Sequence, residues 1–118
     1  MKTKRRRSLP LMMPISVVLL ASGCATFRHP DDAWWGPDKA RHVALSAALA
    51  AGTSYTLVSD RYDEEAAVGG GVILSAAAGS AKEIYDQRVK RTYFSGKDLV
   101  WDLLGGLLGG MLGAAAAE

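Results

Sequence analysis

Three side chains in this sequence join titratable chemistry to an apolar helical setting: His42, Glu83 and Asp102. A histidine beside carboxylates suits general acid/base work, with the acids orienting the imidazole or tuning its basicity. The same set would hold Mg²⁺ or Ca²⁺ only loosely through oxygen. One histidine with carboxylates is a thin donor set for zinc, so neither a metal nor another cofactor is expected. Asp38, Lys39, Lys82, Asp86 and Asp98 accompany the three, and each has a plain reading. Asp38 follows Pro37 and reads as a helix N-cap. Asp98 stands three residues after Ser95, as the acid of a capping motif does. Lys82 and Asp86 form an i,i+4 pair suited to a solvated face, and His42 reads equally as a lone exposed histidine. Asp102 resists such a reading. It lies in the second turn of a helix among Trp101, Leu103 and Leu104, where an acid needs a partner or a task. The sequence holds no nucleophile elbow, P-loop, His-Glu-xx-His motif or cysteine pair.

Helices must position these groups, because no run shows the period-2 alternation of a strand. The pattern predicts helices over about 38–58, 66–88 and 97–117, joined by short connections, hence antiparallel neighbours. The fold class is all-α: a small bundle of three antiparallel, Ala/Gly-rich helices. The glycines at 69–71 weaken the expected start of the second helix, at roughly 1 kcal/mol per helical glycine. In the third, Asp98, Asp102, Gly105, Gly109, Leu112 and Ala116 fall on one stripe, opposite Val100, Leu104, Leu107 and Met111. Glycines spaced by four at 105, 109 and 113, and at 106 and 110, let a neighbouring helix approach closely. An up-down-up trace gathers the start of helix one, the end of helix two and the start of helix three on one side. His42, Glu83 and Asp102 then face inward, one from each helix.

The amino terminus has its own logic. Lys2, Lys4, Arg5, Arg6 and Arg7 precede an apolar run over 9–21, and small residues lead to Cys24. That is the order of a secretory signal, and the run is too short for a spanning helix of about 20 residues. Leu20-Ala21-Ser22-Gly23-Cys24 resembles the lipobox of bacterial lipoprotein precursors, with Ala21 where Leu is commoner. The resemblance implies a cleaved signal over 1–23, acylation (palmitate among the chains) of Cys24, and a lipidated linker over 24–37. Ala25 in place of Asp implies the outer membrane, with the protein on its periplasmic side. A lone cysteine is otherwise idle in an oxidising compartment, since it has no internal partner. Trp34 and Trp35 suit either headgroup depth or packing on the helix ends. Five of the 14 Lys and Arg residues fall in the signal, leaving nine against 12 acids. The mature chain is therefore acidic and shows no basic patch for nucleic acid.

Asp38-Lys39-xx-His42, Lys82-Glu83-xx-Asp86 and Ser95-xx-Asp98-xxx-Asp102-xx-Gly105-xxx-Gly109 together resemble the YfiM-like family of envelope lipoproteins. The likeness covers roughly residues 36–113, nearly the whole mature chain, and the three-helix domain is expected over 38–118. A more distant reminiscence is of VanZ-like membrane proteins, where Asn is expected in place of Asp102. Neither family brings an established activity. The segments 43–58 and 66–81 are 16 residues each and rich in Ala, Gly and Ser, and the third carries Asp102; none is a convincing span. The expected function is a non-enzymatic accessory or interaction lipoprotein. Its partners are membrane lipid, through acylated Cys24, and an envelope protein. The alternatives are a small membrane-surface enzyme using His42, Glu83 and Asp102 on a lipid or envelope intermediate, and residence in the inner membrane.

Overall fold

The computed structural model describes residues 29–118. The expected signal peptide and Cys24 lie outside the described residues. Helix α1 runs Pro37–Ser59, α2 Glu64–Arg88 and α3 Gly96–Ala116. Among the described residues there is no strand, and all three helices pack on one another. The protein is an all-α three-helix bundle.

Each boundary has a local cause. Pro37 is the first residue of α1, where its fixed φ suits the helix and its missing N–H costs nothing. That makes Gly36 the cap, at φ 153°, a conformation a side chain rarely adopts. The Gly36 carbonyl accepts the first bond from the Ala40 N–H at 3.2 Å. Asp38 therefore falls inside the first turn and makes no capping bond, which corrects the expectation that it caps. At the other end Arg61 takes φ 68°. The Tyr62 N–H reaches the Leu57 carbonyl at 3.0 Å and the Arg61 N–H that of Val58 at 2.9 Å, a Schellman closure. Helix α2 begins two residues earlier than expected, so its glycines sit inside the helix. A Cβ on Gly71 would stand 2.7 Å from the Ala50 carbonyl oxygen, so close approach to α1 offsets the propensity cost. Helix α3 opens as its sequence indicates: Ser95 Oγ accepts the Asp98 N–H at 3.1 Å.

Helices α1 and α3 are parallel and meet through backbone. A Cβ added at Gly105, Gly109 or Gly113 would lie 2.9, 2.5 or 2.6 Å from the Cα of Val43, Ala47 or Ala51. The antiparallel α2 packs on the adjacent glycines, with Val72 and Ser75 at Gly106 and Val68 at Gly110. Because α3 fills the angle between two helices, its buried face splits into these two glycine rows. Leu112, expected on the stripe, is instead 70% exposed. The opposite row of Leu104, Leu107 and Met111 is exposed as well.

The interior is small and polar, and the exterior bulky. Among the described residues Ala50, Ala67, Val72, Leu99 and Ala114 are the buried apolar ones, with Ser46, Ser54 and Ser75 buried as well. Leu45, Leu49, Leu74, Leu108 and Tyr55 face outward. This inverts the usual soluble amphipathic helix and matches helices that associate through small residues in an apolar medium. Over 43–58, 66–81 and 99–117 the only charged residue is Asp102, and it is buried. An uncharged belt about 24 Å tall therefore surrounds the bundle. Charge collects at its two ends. The preceding linker closes the end that holds His42: His29 stacks on Tyr93 at 3.6 Å, Trp35 meets the edge of Trp101 at 5.1 Å, and Trp101 Nε1–H donates to the Trp34 carbonyl at 2.8 Å. Trp34 and Trp35 thus touch the helix ends and remain 44% and 78% exposed.

Candidate functional site: a buried ion network

Helical spacing aims the polar groups at one point. Lys39, His42 and Ser46 share the inner face of α1, and Asp98 and Asp102 lie one turn apart on α3. Glu83 comes from α2. All six are buried. His42 is gripped from both sides: Nδ1 lies 3.0 Å from Asp102 Oδ1, and Nε2 lies 3.1 Å from Asp98 Oδ2. Ser46 Oγ–H also donates to Asp102 Oδ1, at 2.7 Å. Glu83 stands further off, its Oε1 3.8 Å from Nε2. The structure thus brings His42, Glu83 and Asp102 together, and Asp98 is the closer second carboxylate.

A second layer surrounds this core. Lys39 Nζ donates to Asp32 Oδ1 at 2.7 Å and to Asp98 Oδ1. Ser95 Oγ–H donates to Asp32 Oδ2 at 2.7 Å, and the Ser95 N–H to Glu83 Oε2 at 3.0 Å. Lys97 Nζ donates to the Asp32 carbonyl and lies 5.3 Å from the Trp34 ring centroid. Toward solvent, Lys82 bridges Glu83 at 3.2 Å and Asp86 at 2.9 Å, and Lys90 meets Asp86 at 3.2 Å. Asp38 sits exposed at the rim, 3.8 Å from Lys39. Gly105 and Gly109 belong to the α1–α3 seam. Asp32, Ser46 and Lys97 were not among the sequence candidates. Asp32 sits in a Pro/Gly/Asp linker that reads as a turn, and only the folding of that linker over the helix ends buries it.

The electrostatics follow from this packing. The Asp102 carboxylate first, and Asp98 next, hold the His42 imidazolium up to about 10, outweighing the cost of its burial. Burial is also the largest influence on Asp98 and favours its neutral form. His42 and Lys39 together overcome it and hold Asp98 well below the usual carboxylate range. For Lys39 burial again opposes the charge, and Asp32 and Asp98 more than offset it. Glu83 is raised, chiefly by burial, against the pull of the Ser95 N–H and Lys82. Lys82 Nζ lies 3.4 Å from His42 Nε2. With His42 charged this is a like-charge contact, held in place by Glu83 and Asp86.

Held up to about 10, with a carboxylate oxygen 3.0 Å from Nδ1 and 3.1 Å from Nε2, His42 is charged near neutrality and is then a poor general base. The same fact weighs against a cation. Ligand atoms of Asp38, His42 and Asp98 lie within 4.8 Å of one another. Yet Asp98 Oδ1 already holds the Lys39 ammonium and His42 offers a proton instead of a lone pair, so this donor set does not suit a metal. Two buried carboxylate oxygens have no hydrogen-bond partner among the described residues: Asp86 Oδ1, which still pairs with Lys90 at 3.2 Å, and Asp102 Oδ2. Comparison with known protein families, curated proteins and solved structures finds no match to this chain.

Proposed function

We propose that this chain is a lipid-anchored, non-enzymatic accessory protein of the bacterial envelope. It is held on the periplasmic leaflet of the outer membrane by acylated Cys24 and presents its uncharged belt to lipid or to an envelope protein. The observation that carries the non-enzymatic part is the double grip on His42, which holds this candidate base as a cation between two carboxylates. The polar network then locks the three helices at the anchor end. The buried acids and their cations are matched across α1, α2, α3 and the linker, as a register lock requires.

The leaflet position is favoured over a spanning one by three features. By length and composition α3 is the one candidate span among the described residues, with 44% of its apolar window buried in the bundle. A belt of about 24 Å falls short of a hydrocarbon core of about 30 Å. The exposed cations Arg41, Lys82, Arg88, Lys90 and Arg91 gather at the anchor end, whereas the far end carries Asp60, Glu64, Glu65 and Glu118 against Arg61. With the anchor outside the cytoplasmic membrane, a spanning bundle would reverse the positive-inside rule. The YfiM-like resemblance agrees with an envelope lipoprotein and adds no activity. The second reading, an enzyme of the membrane surface, is favoured only by the unpartnered Asp102 Oδ2.

The test combines mass with folding. Intact mass of the mature protein is expected to show an acylated amino terminus at Cys24, and Cys24→Ser to abolish it; an unmodified Cys24 refutes the anchor. His42→Gln and Asp102→Asn are expected to lower the melting temperature or mislocalise the protein. Variants that keep wild-type stability but lose an envelope phenotype would favour the enzyme.

A further inference from the structure

The exposed cations of this acidic chain concentrate where α2 ends. Arg88-Val89-Lys90-Arg91 puts three of them in four residues, all four exposed. Specific bonds shape the turn. The Val89 N–H donates to the Tyr85 carbonyl at 2.8 Å, and Thr92 returns both its N–H and its Oγ1–H to the Asp86 carbonyl, each at 3.1 Å. To close in this way Arg91 takes φ 54°, a left-handed conformation that glycine enters more cheaply. The position carries a guanidinium instead. Val89 and Tyr85 stand among these cations, 60% and 53% exposed.

A cation at a helix C-terminus suits the dipole, which accounts for Arg88 alone. Arg41 lies near the N-terminus of α1, where the dipole disfavours it, and is exposed. With Lys82 and Lys90 it lines the cleft between α1 and α2. Against Arg41, Lys82, Arg88, Lys90 and Arg91 stand the exposed Asp31 and Asp38 and the half-buried Asp86, which pairs with Lys82 and Lys90. Five cations against three acids leave this surface at +2. The guanidinium groups of Arg41, Arg88 and Arg91 have no ion pair or hydrogen bond among the described residues.

The tether decides what such a surface meets. The described chain begins at His29, whose ring stacks on Tyr93 at 3.6 Å. Tyr93 is two residues from Arg91, so the linker leaves the bundle beside the basic turn. Cys24 is five residues before His29 and lies within about 18 Å of it at full extension. With Cys24 acylated, the turn is held against a bilayer surface. The far end, with Asp60, Glu64, Glu65 and Glu118 against Arg61, is repelled by an anionic one.

We propose that the turn over 88–91, together with Arg41, is a docking surface for anionic lipid headgroups. The bundle meets the leaflet by this end, with its cations at the phosphates and Val89 and Tyr85 at headgroup depth. The proposal rests on the anchor reading and adds that the charge of the leaflet sets how the bundle sits on it.

Cys24 is the only cysteine, so once it is acylated a cysteine introduced elsewhere takes a dye alone. Mature acylated protein carrying Val89→Cys and a polarity-sensitive dye is reconstituted in phosphatidylcholine vesicles with and without phosphatidylglycerol. Dye emission is expected to shift to the blue in the anionic vesicles only, and to return in high salt. A surface at +2 corresponds to a change of about 30-fold in the docked population. The triple variant Arg88→Gln/Lys90→Gln/Arg91→Gln takes the surface from +2 to −1 and should abolish the response at an unchanged melting temperature. Arg61→Gln, at the far end, should leave it intact, and a dye placed through Ser59→Cys should show none. Equal emission in the two vesicles, a response that survives the triple variant, or one that appears equally at position 59 would overturn the docking surface. An intact mass with Cys24 unmodified would instead overturn the anchor, and the same comparison made with Cys24→Ser then reads docking alone.

Discussion

Replacing Gly109 with Ala tests the parallel α1–α3 seam on which the ion network depends. A methyl at 109 would stand 2.5 Å from Ala47 Cα and closer still to the Ala47 carbonyl oxygen. Those atoms are helix backbone, so no side-chain rotation relieves the overlap. Helices α1 and α3 must separate by roughly 1 Å to restore ordinary contact. Overpacking of this kind costs about 1–3 kcal/mol, and a backbone obstacle argues for the upper end. Against it, Ala gains about 1 kcal/mol over Gly in helix propensity. The net expectation is a loss of about 2 kcal/mol, or roughly 10 °C in melting temperature for a domain of this size. Gly52 supplies the control. It lies in α1, exposed, and an added Cβ meets nothing within 4 Å, so Gly52→Ala keeps the propensity gain without the clash. It should raise the melting temperature by a few degrees. Thermal unfolding of both variants, followed by circular dichroism under one condition, is the assay. If both substitutions stabilise, the glycine row does not form the seam and the helix register is wrong.

Two further outcomes follow from the network. His42→Ala and Asp102→Ala should each destabilise by about 3–5 kcal/mol, because each strands a buried charge. The double variant should cost less than their sum by about 1–3 kcal/mol, measured by urea unfolding, whereas additive costs would mean the pair is not coupled. The pH dependence has a definite sign. The folded state raises His42 from 6.5 to about 10, so its contribution is complete below about pH 6.5 and is lost as pH rises through 10. A melting temperature that falls steadily from pH 7 to pH 10.5 is expected, by an amount that shrinks strongly in His42→Gln; a flat profile over that window contradicts the clamp.

The helices and their trace were legible because their signals are local or periodic. Ser95 followed by Asp98, the arginine-and-acid connection at 60–65 and the glycine spacing of α3 each correspond to a feature of the fold. The convergence of His42, Glu83 and Asp102 followed from the trace, since one turn into each helix on the same side leaves little freedom. What escaped depended on tertiary burial. Asp32 looks like any linker acid until Lys39, Ser95 and Lys97 close over its segment. Asp38 looked like the cap because residue type was read without the Gly36 conformation that displaces it. The glycines of α2 looked like a weak start because propensity says nothing of Ala50 waiting opposite Gly71. The outward row of Leu45 and Leu49 was invisible for a related reason: a stripe names two faces, and only packing decides which is inside.

The protonation state of His42 tests the account most directly. In ¹⁵N-labelled protein the ring nitrogens report it through their chemical shifts and one-bond couplings, followed from pH 6 to pH 11. The account predicts that both Nδ1 and Nε2 of His42 carry protons at pH 8, and that the ring titrates near 10, where Asp102 and Asp98 hold it. A His42 ring that is a single neutral tautomer at pH 8 and titrates near 6.5 would contradict it, and would return that side chain to the role of an available base.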